Sequence, residues 1–240
     1  MQEYERLVTE ALEVPLRGWD FSWLEGRATG SDPSWSYPDL ARAHLRADLL
    51  DIDTGGGELL ATLRPTRGTI ATEGYAPNVS VARERLGPLG VDVRFAPDAT
   101  LPLDDACVDL VLNRHGRLNA AEIARVLRSG GELLTQQVGS ADCADLNAAL
   151  GAPPAYEEPW NAEIAAQALT AAGLRVTDVR EEFPPLAFAD VGAVVYQLRA
   201  VPWQVRDFTV ARYADELKRM HERGGITVCA HRFLIHARGE

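Results

Sequence analysis

Lysine and cysteine are scarce in this sequence, and it has no long apolar run. Lys218 is the only lysine among 24 basic residues, so arginine carries nearly all the positive charge. Those 24 face 35 acidic residues, and a formal net charge of −11 repels phosphate backbones unless basic residues cluster. No such cluster is visible, which argues against a nucleic-acid partner. Cys107, Cys143 and Cys229 lie far apart and form no metal-type pair. Neither a disulfide framework nor a structural zinc is therefore expected, and no metal is assigned. No stretch approaches the roughly 18 apolar residues that a membrane span needs. The opening MQEYERLVTEALEV is acidic and helical in pattern, without an apolar signal core. The expectation is a cytoplasmic protein with no membrane contact. Its 240 residues, 46% hydrophobic and 25% charged, fit one large globular domain.

From Asp39 to Glu132 short apolar runs alternate with helical segments of about ten residues, the pattern of parallel strands joined by crossover helices. The strand candidates are DLLDI, GTIATE, VDVRFA, CVDLVLNRH and ELLTQQVG, with Gly130-Gly131 read as a helix stop. Further on, NAEIAAQALTAAGL reads as a helix, RVTDVREE as a strand and ITVCAHRFLIHAR as one last strand. These readings predict an α/β fold with a core over 39–182 and 226–240. The N-terminal segment 1–38 is a candidate cap, and 183–225, too long for an ordinary connection, is a candidate helical lid.

The stretch LLDIDTGGGELL, Leu49 to Leu60, carries the chemistry. A phosphate-binding P-loop ends in Gly-Lys-Ser/Thr, and here Glu58 follows Gly57. A dinucleotide loop needs a third glycine where Leu60 stands, and Asp51, Asp53 and Glu58 would repel its pyrophosphate. S-adenosylmethionine has no phosphate and carries a cationic ammonium and sulfonium, which acids favour. The stretch resembles motif I of the class I S-adenosylmethionine-dependent methyltransferases, Asp-x-Gly-x-Gly-x-Gly. Asp51, Gly55 and Gly57 match its acid and its second and third glycines, and Asp53 replaces the first. Aspartate tolerates left-handed backbone angles, so the turn can still form. The Asp53 carboxylate either faces the cofactor's ammonium or caps the following helix.

The resemblance extends strongly over Tyr37 to Gly139 and more loosely beyond, to the small-molecule, type 11-like branch. It implies a mostly parallel seven-stranded Rossmann-like sheet with an antiparallel last strand. Glu73, ending GTIATE, matches the family's ribose acid. Asp98 and Ala99 in APDATLPLDD match the adenine-binding pair, and Asn113 at the end of the fourth strand joins the cofactor set. Beside it the run NRHGR offers His115 as a general base for the methyl acceptor and Arg114 as a ligand for an acidic group. Gln137, Trp203 and His231 are further acceptor-side candidates. For Trp19, Trp23, Trp35 and Tyr37, core packing is the plainer role. The implied activity is methyl transfer to an oxygen or nitrogen of a small molecule. An RNA or protein methyltransferase and a non-catalytic cofactor-binding module are the alternatives.

Overall fold

Alternating apolar and helical runs fold into alternating strands and helices. The computed structural model describes residues 2–16, 21–98 and 100–240, so Trp19 and Ala99 lie outside the described residues. Up to the first crossover the elements are α1 (Gln2–Glu13), β1 (Ala28–Gly30), α2 (Tyr37–His44), β2 (Leu49–Ile52) and α3 (Glu58–Leu63). Next come β3 (Ile70–Glu73), α4 (Ala76–Leu86), β4 (Asp92–Phe95), β5 (Val108–Arg114), α5 (Ala120–Val126) and β6 (Leu127–Val138). The remainder is α6 (Ala144–Leu150), α7 (Ala162–Ala171), β7 (Leu174–Glu182), β8 (Pro185–Phe188), α8 (Val191–Ala200), α9 (Ala214–Glu222), β9 (Ile226–Cys229) and β10 (Arg232–Gly239).

The chain divides into two units. The larger comprises Ser34–Gly139, Trp160–Glu182 and Arg232–Glu240 and holds a seven-stranded sheet in the order β4-β3-β2-β5-β6-β10-β7. Strands β2, β3, β4, β5 and β6 pair in parallel, while β10 runs antiparallel to both β6 and β7. All four residues of β2 are buried, as a strand covered on both faces by crossover helices must be. One face packs Leu49, Leu60, Val79, Leu86, Leu110 and Leu134 together, the other Leu50, Val111, Ile123, Leu133, Phe233 and Ile235. The chain runs β2, β3, β4 outward in one direction and returns to β5 and β6 in the other. The reversal between β2 and β5 is the topological switch point at which open α/β sheets bind ligands.

The smaller unit comprises Met1–Pro33, Ser140–Pro159 and Phe183–His231. It holds a three-stranded antiparallel sheet, β1-β8-β9, and a core in which Leu7, Val8 and Ala11 of α1 pack with Val191, Val194 and Val195 of α8. Arg27 ties this unit together through Glu10 and Asp190 and stacks its guanidinium over Trp23, which in turn stacks on Tyr196.

Two boundaries differ from the expected ones. The run ITVCAHRFLIHAR is two strands: β9 ends at Cys229 and β10 begins at Arg232, each in a different sheet. Apolar pattern alone does not mark that break, because Ala230 and His231 are both buried. Strand β6 also begins before Gly130-Gly131 rather than after it. Val108 pairs with Leu127 but Leu110 with Glu132, so the glycines form a bulge within the strand, Gly130 at φ 76°. Among the described residues no helix is long and apolar enough to cross a membrane.

Candidate active site

The carboxyl ends of β2, β3 and β5 bring Asp51, Asp53, Gly55, Gly57, Glu73 and Asn113 together. After Ile52 the backbone turns through three left-handed residues, Asp53 at φ 53°, Gly55 at φ 64° and Gly57 at φ 80°. A side chain at Gly57 would meet the Leu86 side chain at 2.7 Å, so this position is closed sterically as well as conformationally. Glu73, buried at the end of β3, accepts hydrogen bonds from the backbone N–H groups of Gly55 and Tyr75, both at 2.7 Å. One carboxylate thus fixes the glycine loop against the turn that follows β3.

Asp53 neither caps the next helix nor stands free. Its carboxylate forms a two-pronged pair with Arg117, at 3.0 Å to Nε and 2.8 Å to a terminal nitrogen, and accepts the Arg117 backbone N–H at 2.8 Å. The same guanidinium donates to the carbonyls of Ala96, Pro97 and Asp98 at 2.7–2.9 Å. It therefore spans the ends of β2 and β4. It also covers Gly74 after β3, where an added Cβ would lie 2.4 Å from it. With Ile52, Asp98, Leu101, Asn119 and Ile123, Arg117 lines a cleft beside the switch point. Arg117 was not among the sequence candidates. One arginine among so many carries no signal until the fold shows its partners.

Asp51 is buried beneath the loop. Burial first, and then the charges of Asp53 and Glu73, push its carboxyl up to about 7 against the lowering effect of the Thr54 hydroxyl. Three acids thus crowd one site and only Asp53 is paired with an arginine, so the negative charge of Asp51 and Glu73 favours a cation.

Asn113 and Gln137 form a buried network rather than an open pair of ligands. Asn113 donates from its amide to the carbonyl of Arg117 at 3.0 Å, and its amide oxygen accepts from Thr135 and from Gln137. Gln137 also donates to Thr135 at 2.8 Å, and the Tyr37 hydroxyl links the Asn113 backbone to the Leu134 carbonyl. The neighbouring Gln136 faces the other way, as strand alternation requires. Its amide oxygen accepts from Trp35 Nε1 at 2.7 Å and its amide nitrogen lies 3.0 Å from His115 Nε2. Indole N–H only donates, so it fixes the Gln136 amide's orientation, and that amide in turn makes His115 Nε2 an acceptor and places the ring proton on Nδ1. His115 itself sits at φ 61° with part of its surface open to solvent, and its imidazole pKa is lowered by the protein packed around its inner side and by Arg114 and Arg232.

Arg114 and Asp98 are exposed at the ends of their segments. Trp203 and His231 belong to the smaller unit. There His231 stacks on Phe183 and its backbone N–H donates to Asp142 at 2.8 Å.

No protein-family model matches the chain, and no curated protein does. Solved structures do. The YcgJ protein from Bacillus subtilis is similar at 16% identity and TM-score 0.63, over 85% of this chain and 98% of that one. Geranyl diphosphate methyltransferase, solved with S-adenosylmethionine, is similar at 17% identity and TM-score 0.51, over 85% and 84%. The [4+2]-cyclase SpnF is similar at 18% identity and TM-score 0.55, over 99% and 94%. The seven-stranded, mostly parallel sheet with antiparallel β10 agrees with these likenesses: the chain has the fold of the class I S-adenosylmethionine-dependent methyltransferases.

Proposed function

We propose that this protein binds S-adenosylmethionine and transfers its methyl group to an oxygen or nitrogen of a small molecule. The observation that carries this reading is the charge imbalance at the switch point. Asp53 is neutralised by Arg117, whereas Asp51 and Glu73 have no arginine bonded to them among the described residues, and Asp51 is driven partly toward its protonated form. A cofactor with an ammonium and a sulfonium relieves that repulsion, whereas a pyrophosphate would add to it. In this reading Asp51 and the Gly55–Gly57 turn hold the amino-acid end, Glu73 the ribose, and Asp98 with Ala99 the adenine.

When bound, S-adenosylmethionine supplies a methyl group whose carbon–sulfur bond breaks as the acceptor's lone pair attacks, leaving S-adenosylhomocysteine. The residues present bring the reactants into line and exclude water, an effect worth roughly 7–11 kcal/mol in well-oriented reactions. His115 is the candidate to take the acceptor's proton. Its Nε2 lone pair is engaged by Gln136 and its basicity is low, so it acts only once that amide turns away, or else presents its Nδ1 proton as a hydrogen-bond donor. His115→Ala separates the two roles. A base predicts loss of turnover with unchanged cofactor affinity, while unchanged turnover removes His115 from the chemistry.

A net charge of −11 supports a small-molecule acceptor over RNA. The fold alone does not fix the reaction, because SpnF, described as a [4+2]-cyclase, shares it. The test is transfer of label from methyl-labelled S-adenosylmethionine into a fractionated cell extract. Label in the low-molecular-mass fraction is expected. Label in RNA or protein would support the macromolecular alternatives, and cofactor binding without consumption would support a binding module.

A further inference from the structure

Arg117 makes the densest set of polar contacts at the switch point. Its guanidinium bonds the Asp53 carboxylate and three consecutive carbonyls, Ala96 to Asp98, and lies against Gly74. Gly74 directly follows the acid read as the ribose ligand, and Asp98 is the acid read as the adenine ligand. The guanidinium therefore stands between the two segments that would grip the adenosine. Its charge is also held by the fields of Asp53, Glu73 and Asp98, which raise its pKa.

The partner that anchors it is the one residue that departs from the glycine pattern. Asp53 sits at φ 53°, a backbone position that costs an L-residue and favours glycine. Gly116, on the segment leading to Arg117, is packed so closely that an added Cβ would lie 2.8 Å from the Asp53 Cβ. A strained aspartate, a bare glycine beside it and an arginine whose guanidinium it holds by two hydrogen bonds form one device.

Resting on the cofactor reading above, we infer that Asp53 and Arg117 form a latch across the adenosine seat, which must open before S-adenosylmethionine or S-adenosylhomocysteine binds. The apparent affinity then equals the intrinsic one multiplied by the fraction of molecules whose latch is open. The aspartate in place of glycine is a regulator of cofactor occupancy, and the two side chains act as one unit.

The experiment is calorimetric titration of S-adenosylhomocysteine into the wild type, Asp53→Gly, Arg117→Ala and the double variant. Each protein's folding is checked by thermal melting. Both single variants are expected to bind at least tenfold tighter than the wild type, and the double variant no tighter than either, the non-additivity of a coupled pair. Asp53→Gly relieves a left-handed strain, so it keeps the test open if Arg117→Ala does not fold. Wild-type binding that either folded variant matches or weakens would overturn the latch and leave the cofactor reading standing. Absence of binding in all four proteins would overturn the cofactor reading, and the latch with it.

Discussion

At the carboxyl ends of β2 and β3 three acids, Asp51, Asp53 and Glu73, lie together, and of these only Asp53 is bonded to an arginine among the described residues. Some way down β6 the opposite arrangement occurs around Glu132. That strand position pairs with Leu110 rather than with the strand end at Arg114, four residues and about 13 Å away. There a single buried carboxylate meets His44 at 2.7 Å, Arg238 at 3.0 Å, His236 at 3.5 Å and Arg46 at 3.6 Å. The types and spacing of His44, Glu132 and His236 would suit a divalent metal, but the two arginines on the same carboxylate oppose one. The lesson is that a cluster of ionisable groups points to a ligand by what it lacks. The Glu132 cluster already holds its counter-charge, while the switch point is short of positive charge and calls for a cationic ligand.

The largest expected effect breaks the first site. Glu73→Ala leaves the N–H groups of Gly55 and Tyr75 without their acceptor, at about 1–3 kcal/mol each where they are not rehydrated. Cofactor binding should disappear and the melting temperature fall. Glu132→Gln should also destabilise, by about 1–3 kcal/mol given that both arginines are partly solvated, yet leave cofactor affinity unchanged. A loss of affinity in Glu132→Gln would end the contrast between the two sites.

The two carboxyls should also respond to pH with opposite sign. Asp51 has a raised pKa in the fold, so its contribution to stability is complete below about pH 4 and is lost as pH climbs to about 7. Asp51→Asn should therefore stabilise relative to the wild type at pH 8, by up to about 4 kcal/mol, and hardly at pH 4. Glu132 is desolvated but is lowered on balance by His44, His236 and Arg46, so its contribution is present above the ordinary carboxylate range and lost on acidification. Thermal melts of both variants against pH read both signs. A cationic cofactor draws the proton off Asp51, so affinity should rise with pH toward 7, by at most tenfold per pH unit, and Asp51→Asn should flatten that slope.

Two smaller changes sharpen the loop's part. Gly57→Ala places a Cβ at φ 80° against Leu86 and should cost about 1–3 kcal/mol and loosen the cofactor. Trp35→Phe removes one buried hydrogen bond to Gln136, worth about 0.5–1.5 kcal/mol. It should raise the basicity-sensitive part of any turnover by freeing the His115 lone pair, measured as a shifted pH–rate profile.

The contrast also shows what a chain reading reaches. Strands β2 and β5 were legible because burial on both faces writes nearly continuous apolar segments, and the glycine turn because glycine and aspartate take its left-handed angles more readily than most residues. The seven-stranded sheet with an antiparallel strand followed from those segments and the family resemblance. The β9–β10 break was not legible, since buried Ala230 and His231 continue the apolar pattern across a change of sheet. Asp53 was legible as a departure but its role was not, because Arg117 lies 64 positions away and its carbonyl partners carry no side-chain signature. The Glu132 cluster was equally hidden, drawn from α2, β6 and β10 at positions 44, 132 and 236.

The most direct measurement is calorimetric titration of S-adenosylmethionine, S-adenosylhomocysteine and NAD into the wild type and Glu73→Ala at pH 7.5. The account predicts that the first two bind the wild type, that neither binds Glu73→Ala, and that NAD binds neither protein. Binding of NAD alone, or of none of the three to the wild type, would contradict it.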